Sequence, residues 1–379
     1  MPKYRPGSSF AVVGLGLIFL CVPASAQNSG ASSGAANSTR PTLTNPLLPS
    51  GPDPWITSRN GVYYYMNTTG NSLVIRKTRR IEDLEHAQRK VIWTPPSSGP
   101  YSHDIWAPEL HFLRGKWYVY FAADAGTNKT HRLWVLENSS PDPLGGTWAF
   151  KGELKAPSDK WAIDGSVFEN RGKLYLVWSG WEGDANGVQS IYLAQLEDPW
   201  TVKGNRVRIS TPDHPWEKVG DLPDRRASHE TNPGADKADP PHVDVNEGPE
   251  VLEHEGKLFL IYSASGCWTN FYELGMATAS ASSDLMNPAS WKKSPLPVFW
   301  ESPAAHAYGT GHNGFFKSPD GKQDWIIYHA NKEPNQGCGA ARSPRAQPFT
   351  WNPDGTPNFG RPVPTGVPIP APSGEPWHN

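Results

Sequence analysis

The chain has 379 residues, with 35 Lys plus Arg against 37 Asp plus Glu and a formal net charge of -2. That balance excludes the basic stripe of a nucleic-acid binder, and 17 Trp, 13 Tyr and 13 Phe exclude a disordered chain. The 39 prolines, about twice the usual share, interrupt long helices and exclude a helical bundle. The length suits two or three domains, or one large all-β domain.

Residues 1–26 read as a secretory signal peptide. Lys3 and Arg5 form its positive start, Phe10 to Val22 its apolar run, and Ala24-Ser25-Ala26 its small-residue cleavage site. Residues 27–42 are rich in Ser, Gly, Ala and Asn and read as a flexible leader. Residues 43–379 read as one domain with a Pro-rich tail from Pro362. No later stretch is apolar enough to cross a bilayer, so the expectation is an exported, soluble monomer. Cys21 leaves with the signal. Cys267 and Cys338 remain, and an oxidising compartment suits one disulfide between them, or two separate buried thiols.

Five segments share a turn followed by an aromatic strand. They begin at Gly61, Gly115, Gly172, Gly256 and Gln323, and run into Tyr63-Tyr64-Tyr65, Trp117-Tyr118-Val119-Tyr120, Leu174-Tyr175-Leu176, Leu258-Phe259-Leu260 and Trp325-Ile326-Ile327. Glycine supplies the positive φ of a hairpin turn; aromatic and β-branched residues favour strands. Each copy follows a shorter segment with a polar tip. Radially repeated units of this kind make a β-propeller, and five units predict five blades. The longest gap, Thr211 to His242, is rich in Pro, Asp and His and reads as a long surface loop over one face.

In a propeller the first strands line the central channel, so their tips converge. Asp53, Glu109, Asp164 and Glu247 sit at such tips in four units, and His312 in the fifth. Alone, each reads equally as a turn or surface residue. Together they would repel, which raises the pKa of at least one. One protonated and one ionised carboxyl is what general acid/base chemistry requires. His312 lacks a paired His or Cys nearby, so no zinc site is indicated.

In order along the chain, Asp53-Pro54-Trp55, Trp106-Ala107-Pro108-Glu109, Ile163-Asp164-Gly165-Ser166, Glu247-Gly248-Pro249 and Gly311-His312-Asn313 each precede an aromatic strand. With these motifs the sequence resembles glycoside hydrolase family 43, five-bladed propeller enzymes acting on arabinose- and xylose-containing polysaccharides. The resemblance implies an inverting mechanism. Asp53 matches the general base, Glu247 the general acid, and Asp164 the third carboxyl that tunes and orients the acid. It also implies an optional calcium-like ion, held through water at His312, with no cofactor required. The stretches Asn45 to Trp55 and Arg342 to Gln347 resemble the exo-acting α-1,5-L-arabinofuranosidases, which release arabinose from arabinan ends.

On this reading Trp55 and Trp106 wall the furanose ring, although either also suits the core. Glu109, His312 and Arg342 contact substrate, with Arg345 an alternative to Arg342. The competing readings are a β-xylosidase, an endo-arabinanase, and a lectin-like propeller that binds sugar without cleaving it.

Overall fold

A computed structural model of the chain describes residues 41–222 and 240–377. The expected signal peptide and nearly all of the expected leader lie outside the described residues. So does the centre of the long loop between Thr211 and His242.

Among the described residues the fold is all-β, interrupted only by short 3-10 turns. Strand β1 (Thr42–Leu43) comes first. The first repeat is β2 (Trp55–Arg59), β3 (Val62–Met66), β4 (Leu73–Thr78) and β5 (Gln88–Trp93), paired in chain order. The second is β6 (His103–Leu113), β7 (Lys116–Asp124), β8 (Arg132–Asn138) and β9 (Ala149–Glu153). The third is β10 (Ala162–Asn170), β11 (Lys173–Gly180), β12 (Val188–Asp198) and β13 (Thr201–Ser210). The fourth is β14 (Asp244–His254), β15 (Lys257–Ala264), β16 (Glu273–Ser280) and β17 (Lys292–Lys293). The fifth is β18 (Tyr308–Lys317), β19 (Asp324–Asn331), β20 (Ser343–Trp351) and β21 (Pro357–Asn358). Last comes β22 (Ile369–Pro370), which pairs with β1 and ties the Pro-rich tail to the start of the described chain.

The hairpins have a common cause. Asn60-Gly61, Arg114-Gly115, Arg171-Gly172 and Glu255-Gly256 join the first and second strands of four repeats, and both residues of each pair have positive φ. That is the two-residue turn whose twist matches the flanking strands.

Each aromatic second strand is buried on both faces and serves two cores. In β7, Trp117, Val119 and Phe121 pack with Tyr64, Met66 and Leu73 of the first repeat. Tyr118, Tyr120 and Ala122 of the same strand pack with Leu174, Leu176 and Trp178 of the third. Tyr175 and Val177 face Leu258 and Leu260, and Phe259 and Ile261 face Ile326 and Tyr328. Trp325 and Ile327 then meet Tyr63 and Tyr65 of the first repeat. The first strands follow the same order: β2 lies against β6, β6 against β10, β10 against β14, β14 against β18, and β18 against β2.

The third and fourth repeats are not separate sheets. A short parallel ladder, Val188 with Asp244 and Gln189 with Val245, joins them into one eight-stranded sheet. The long connection lies between β13 and β14. Its first part is not a free loop: Pro215–Glu217 forms a 3-10 turn, and buried Glu217 accepts hydrogen bonds from Tyr262 at 2.9 Å and Asn246 at 3.1 Å. Among the described residues, no helix is long and apolar enough to cross a membrane.

Cys267 and Cys338 form a disulfide that bridges the loop after β15 to the loop before β20, across 71 residues of chain. Loop-closure entropy then predicts that replacing both by Ser lowers unfolding stability by about 4 kcal/mol. Guanidinium unfolding of the two proteins measures the difference.

Candidate active site

One backbone feature aims the site. Asp53, Ala107, Asp164, Gly248 and His312 all have φ between 42° and 56°. They fall at the same place near the start of the five first strands, where in β6, β10, β14 and β18 the pairing register also shifts. A bulge with a left-handed residue breaks the strand's alternation and re-aims its side chain. Asp tolerates that conformation better than most L-residues. Side chains at and just before the left-handed residue, those of Asp53, Asp164, Glu247 and His312, therefore line one cleft.

Asp53 is held from four sides. Its Oδ1 accepts a hydrogen bond from Arg342 Nη1 at 2.7 Å, and its Oδ2 accepts one from Thr68 Oγ1 at 2.6 Å. Its backbone N–H donates to His329 Nδ1 at 3.1 Å, and His312 Nδ1 lies 3.4 Å from Oδ1. Thr68 Oγ1 also accepts from the Ala107 N–H at 2.7 Å, so one hydroxyl couples the first and second repeats. Burial pushes the Asp53 carboxyl up, but the Arg342 guanidinium and its other partners outweigh burial and hold it well below the usual carboxylate range. Burial pushes both His312 and His329 down, which leaves the two rings neutral.

Glu247 has the opposite environment. Burial pushes its carboxyl up to about 7, against a hydrogen bond donated by Tyr272 Oη to Oε1 at 2.9 Å. Asp164 accepts the Gly248 N–H at 3.0 Å, directly beside Glu247. Burial, then the Glu247 and Asp53 charges, push Asp164 well up. Asp164 and Glu247 thus retain a proton between them in the neutral range while Asp53 stays ionised. An ionised carboxylate and a protonated carboxyl at one pH are what general acid/base chemistry requires.

Glu109 is not in this group. Pairing places it opposite Tyr120, at the level of Ser166 and Glu250, whereas the left-handed position of its strand is Ala107. It lies in a buried layer below the cleft, where its Oε2 is 2.8 Å from His111 Nε2 and Ser166 Oγ donates to Glu250 Oε1 at 3.1 Å. Burial pushes Glu109 and Glu250 well up and His111 down to about 3, so this layer favours neutral forms.

The upper group opens into a cleft of about 500 Å³. Trp106, Trp161 and Trp268 supply aromatic wall, with Asp53, Asp164, Glu247, His312 and Arg342 among the polar lining. Trp106 is braced on His131 at 4.0 Å between rings, and Trp161 on Trp181 at 4.6 Å. Leu222 in the long connection and Val243 just after it also face the cleft, as does the Cys267–Cys338 disulfide.

Two expected contacts fall elsewhere. Trp55 lies outside this lining: its indole N–H donates to the Leu110 carbonyl at 2.9 Å and its ring packs on His111. Arg345 is fully buried and donates to the carbonyls of Ala305 and His306.

The calcium-like ion expected at His312 has no basis here. Among the described residues no group of three or more His, Cys, Asp or Glu could hold a metal ion. His312 faces Asp53, whose charge Arg342 already meets.

Sequence reasoning missed Thr68, His329, Tyr272, Trp161, Trp268 and Asp104. Thr68, His329, Tyr272 and Trp268 lie off the first strands, while Asp104, second in β6, and Trp161, just before β10, come ahead of the tip motifs that begin at Trp106 and Ile163. Asp104 lines the cleft, and burial and then Asp124 push it up to about 6.

The sequence profile of glycosyl hydrolases family 43 matches residues 43–357. The chain belongs to this family. Among its relatives, an extracellular exo-α-(1→5)-L-arabinofuranosidase of Streptomyces avermitilis is 40% identical over 334 residues. That match takes in 86% of this chain but 65% of the relative's length. The enzyme of the same name from Streptomyces chartreusis is 38% identical, over 76% of this chain and 82% of its own. The crystal structure of an α-L-arabinofuranosidase from Lactobacillus brevis is 35% identical, with TM-score 0.75 over 86% of this chain and 98% of that one. An endo-arabinase from Bacteroides thetaiotaomicron, 20% identical with TM-score 0.61, shares the fold.

Within this family 43 site the ion pair to Arg342 sets the charge of Asp53. Arg342→Gln is expected to raise the pH at which Asp53 takes up a proton by about 1–3 units. Carbon-13 NMR titration of labelled aspartate, with Asp53→Asn to assign the signal, measures it.

Proposed function

We propose that this chain is a secreted, exo-acting α-L-arabinofuranosidase that removes L-arabinose from the ends of α-1,5-linked arabinan with inversion at the anomeric carbon. The observation that carries the reading is the opposed environment of two carboxyls facing one cleft: Asp53 held ionised by Arg342 and Thr68, Glu247 held protonated by burial. The names of the Streptomyces and Lactobacillus relatives support the substrate, and "extracellular" in the Streptomyces names supports export through residues 1–26.

The five cores and the ordered contacts of the first strands support a five-bladed β-propeller over residues 43–379, with the site at one mouth of its channel. In the proposed reaction Asp53 removes a proton from water as its oxygen bonds to the arabinose anomeric carbon. The bond from that carbon to the bridging oxygen breaks, and Glu247 gives its proton to that oxygen. Asp53 ends protonated and Glu247 ionised, and solvent exchange restores both. Asp164, bonded to the Gly248 N–H, keeps the segment bearing Glu247 in place. Arg342 orients Asp53, and Trp106 offers an apolar face to the sugar.

Asp53→Asn and Glu247→Gln are each expected to lower kcat on linear α-1,5-arabinan by about 10²–10⁴-fold while leaving thermal unfolding close to wild type. Free arabinose alone from the earliest times is expected. A ladder of oligosaccharides would establish endo action, and no product would redirect the search to xylosides and then to sugar binding without cleavage. Proton NMR of the first-formed anomer tests inversion.

The pH profile follows from the two carboxyls. The general acid works while protonated, so kcat/KM should fall as pH rises through about 7, the point to which Glu247 is pushed. Asp53 stays ionised well below the usual carboxylate range, so its titration should not limit activity at mildly acid pH. A profile that falls on the acid side near pH 6 and keeps rising above 8 would be the wrong way round.

A further inference from the structure

Tyr272 lies immediately before β16, outside every first strand, and is 1% exposed. Its hydroxyl donates to Glu247 Oε1 at 2.9 Å. Its ring lies parallel to that of His329, with 5° between planes and 5.6 Å between centroids. His329 in turn accepts the backbone N–H of Asp53 at 3.1 Å. An unbroken run of contacts therefore leads from the Glu247 carboxyl through two flat rings to the backbone of Asp53.

The surroundings keep room for it. A Cβ on Gly311 would stand 2.2 Å from two carbons of the Tyr272 ring. Gly311 is not in the left-handed region, so conformational freedom does not explain a glycine there. The space taken by Tyr272 does. Burial, then the Glu247 and Asp164 charges, push the phenol well up, so it remains a donor throughout the working range.

We propose that Tyr272, braced on His329, is a positioning residue that fixes the Glu247 carboxyl relative to Asp53 and sets the pH at which Glu247 releases its proton. This rests on the acid and base roles proposed above. An inverting enzyme must keep its two carboxyls about 6.5–9.5 Å apart to admit a water, and a rigid aromatic pair between their supports holds such a gap where flexible side chains would not. The hydroxyl acts in a second way. A donor to a carboxylate favours the ionised form, so Tyr272 opposes the upward push of burial on Glu247.

The test uses the full chain, linear α-1,5-arabinotriose and dinitrophenyl α-L-arabinofuranoside, whose leaving group needs no proton. Tyr272→Phe keeps the ring and removes the donor. Its alkaline limb of kcat/KM on arabinotriose should move to higher pH by about one unit, and its loss of rate should be smaller on the dinitrophenyl substrate. Gly311→Ala pushes the ring and should lower kcat roughly tenfold or more with little change in KM, the sign of an interaction used in the transition state. Thermal unfolding checks that both variants fold. An unmoved alkaline limb in Tyr272→Phe, or a change confined to KM in Gly311→Ala, overturns the proposal. If wild type cleaves no arabinofuranoside, the proposed function fails. Carbon-13 NMR titration of Glu247 in wild type and Tyr272→Phe then decides this inference alone: an upward shift supports it, and an unchanged titration overturns it.

Discussion

A left-handed residue near the start of each first strand is the constraint on which the rest depends. Without it, β10 would continue its alternation past Ile163 and the Asp164 carboxyl would follow the pleat. With φ at 56° the strand breaks step and Asp164 reaches the Gly248 N–H of the neighbouring first strand. The same break places Asp53 against Arg342 and His312 beside Asp53. Backbone of this kind is sparsely populated for L-residues and persists where surroundings over-determine it. Here the aromatic second strands do that work, because each is locked between two cores and gives its first strand a fixed edge to pair with.

The aimed carboxyls then separate by environment. All are buried, and burial alone would push every one of them up. What distinguishes Asp53 is a cation and a hydroxyl within hydrogen-bond reach; what distinguishes Glu247 is that its carboxyl takes a hydrogen bond from the neutral phenol of Tyr272. A single guanidinium, delivered by the segment leading into β20, therefore decides which acid is ionised. Arg suits this place better than Lys, since its charge persists at any working pH. The lower layer of Glu109 and Glu250 has no such cation and stays neutral, so it adds little charge beneath Asp164.

Much of this was legible in the sequence, and the failures have definite causes. The aromatic repeats and their turn glycines gave the strands because local propensity and tertiary burial agree there. Asp53, Asp164 and Glu247 were legible because all three lie at first-strand tips. Glu109 was misplaced by two residues, since a bulge is invisible to a pattern that counts from the next glycine; Ala107, with no polar side chain, carries no mark of its left-handed φ. Trp55 falls two residues past the left-handed Asp53, level with Glu109, and is directed into the core. Arg342 and Arg345 could not be told apart, as only the direction of each side chain separates an Asp53 partner from a buried donor to carbonyls. Tyr272 and His329 arise from a loop and a second strand, and only the folded chain brings them together.

Strands and loops divide the labour at the site. First strands fix the cleft carboxyls, and their geometry is bound into the cores. The cleft walls come instead from connections: Asn128 and Trp161 beside the second and third repeats, Leu222 in the long connection and Val243 just after it, and Trp268 with Cys338 where the disulfide binds the fourth repeat to the fifth. These walls can change length and composition without moving Asp53 or Glu247. The disulfide limits that freedom on one side. It ties the Trp268 loop to the segment that leads to Arg342, so the wall a sugar would meet and the cation that ionises Asp53 are anchored together.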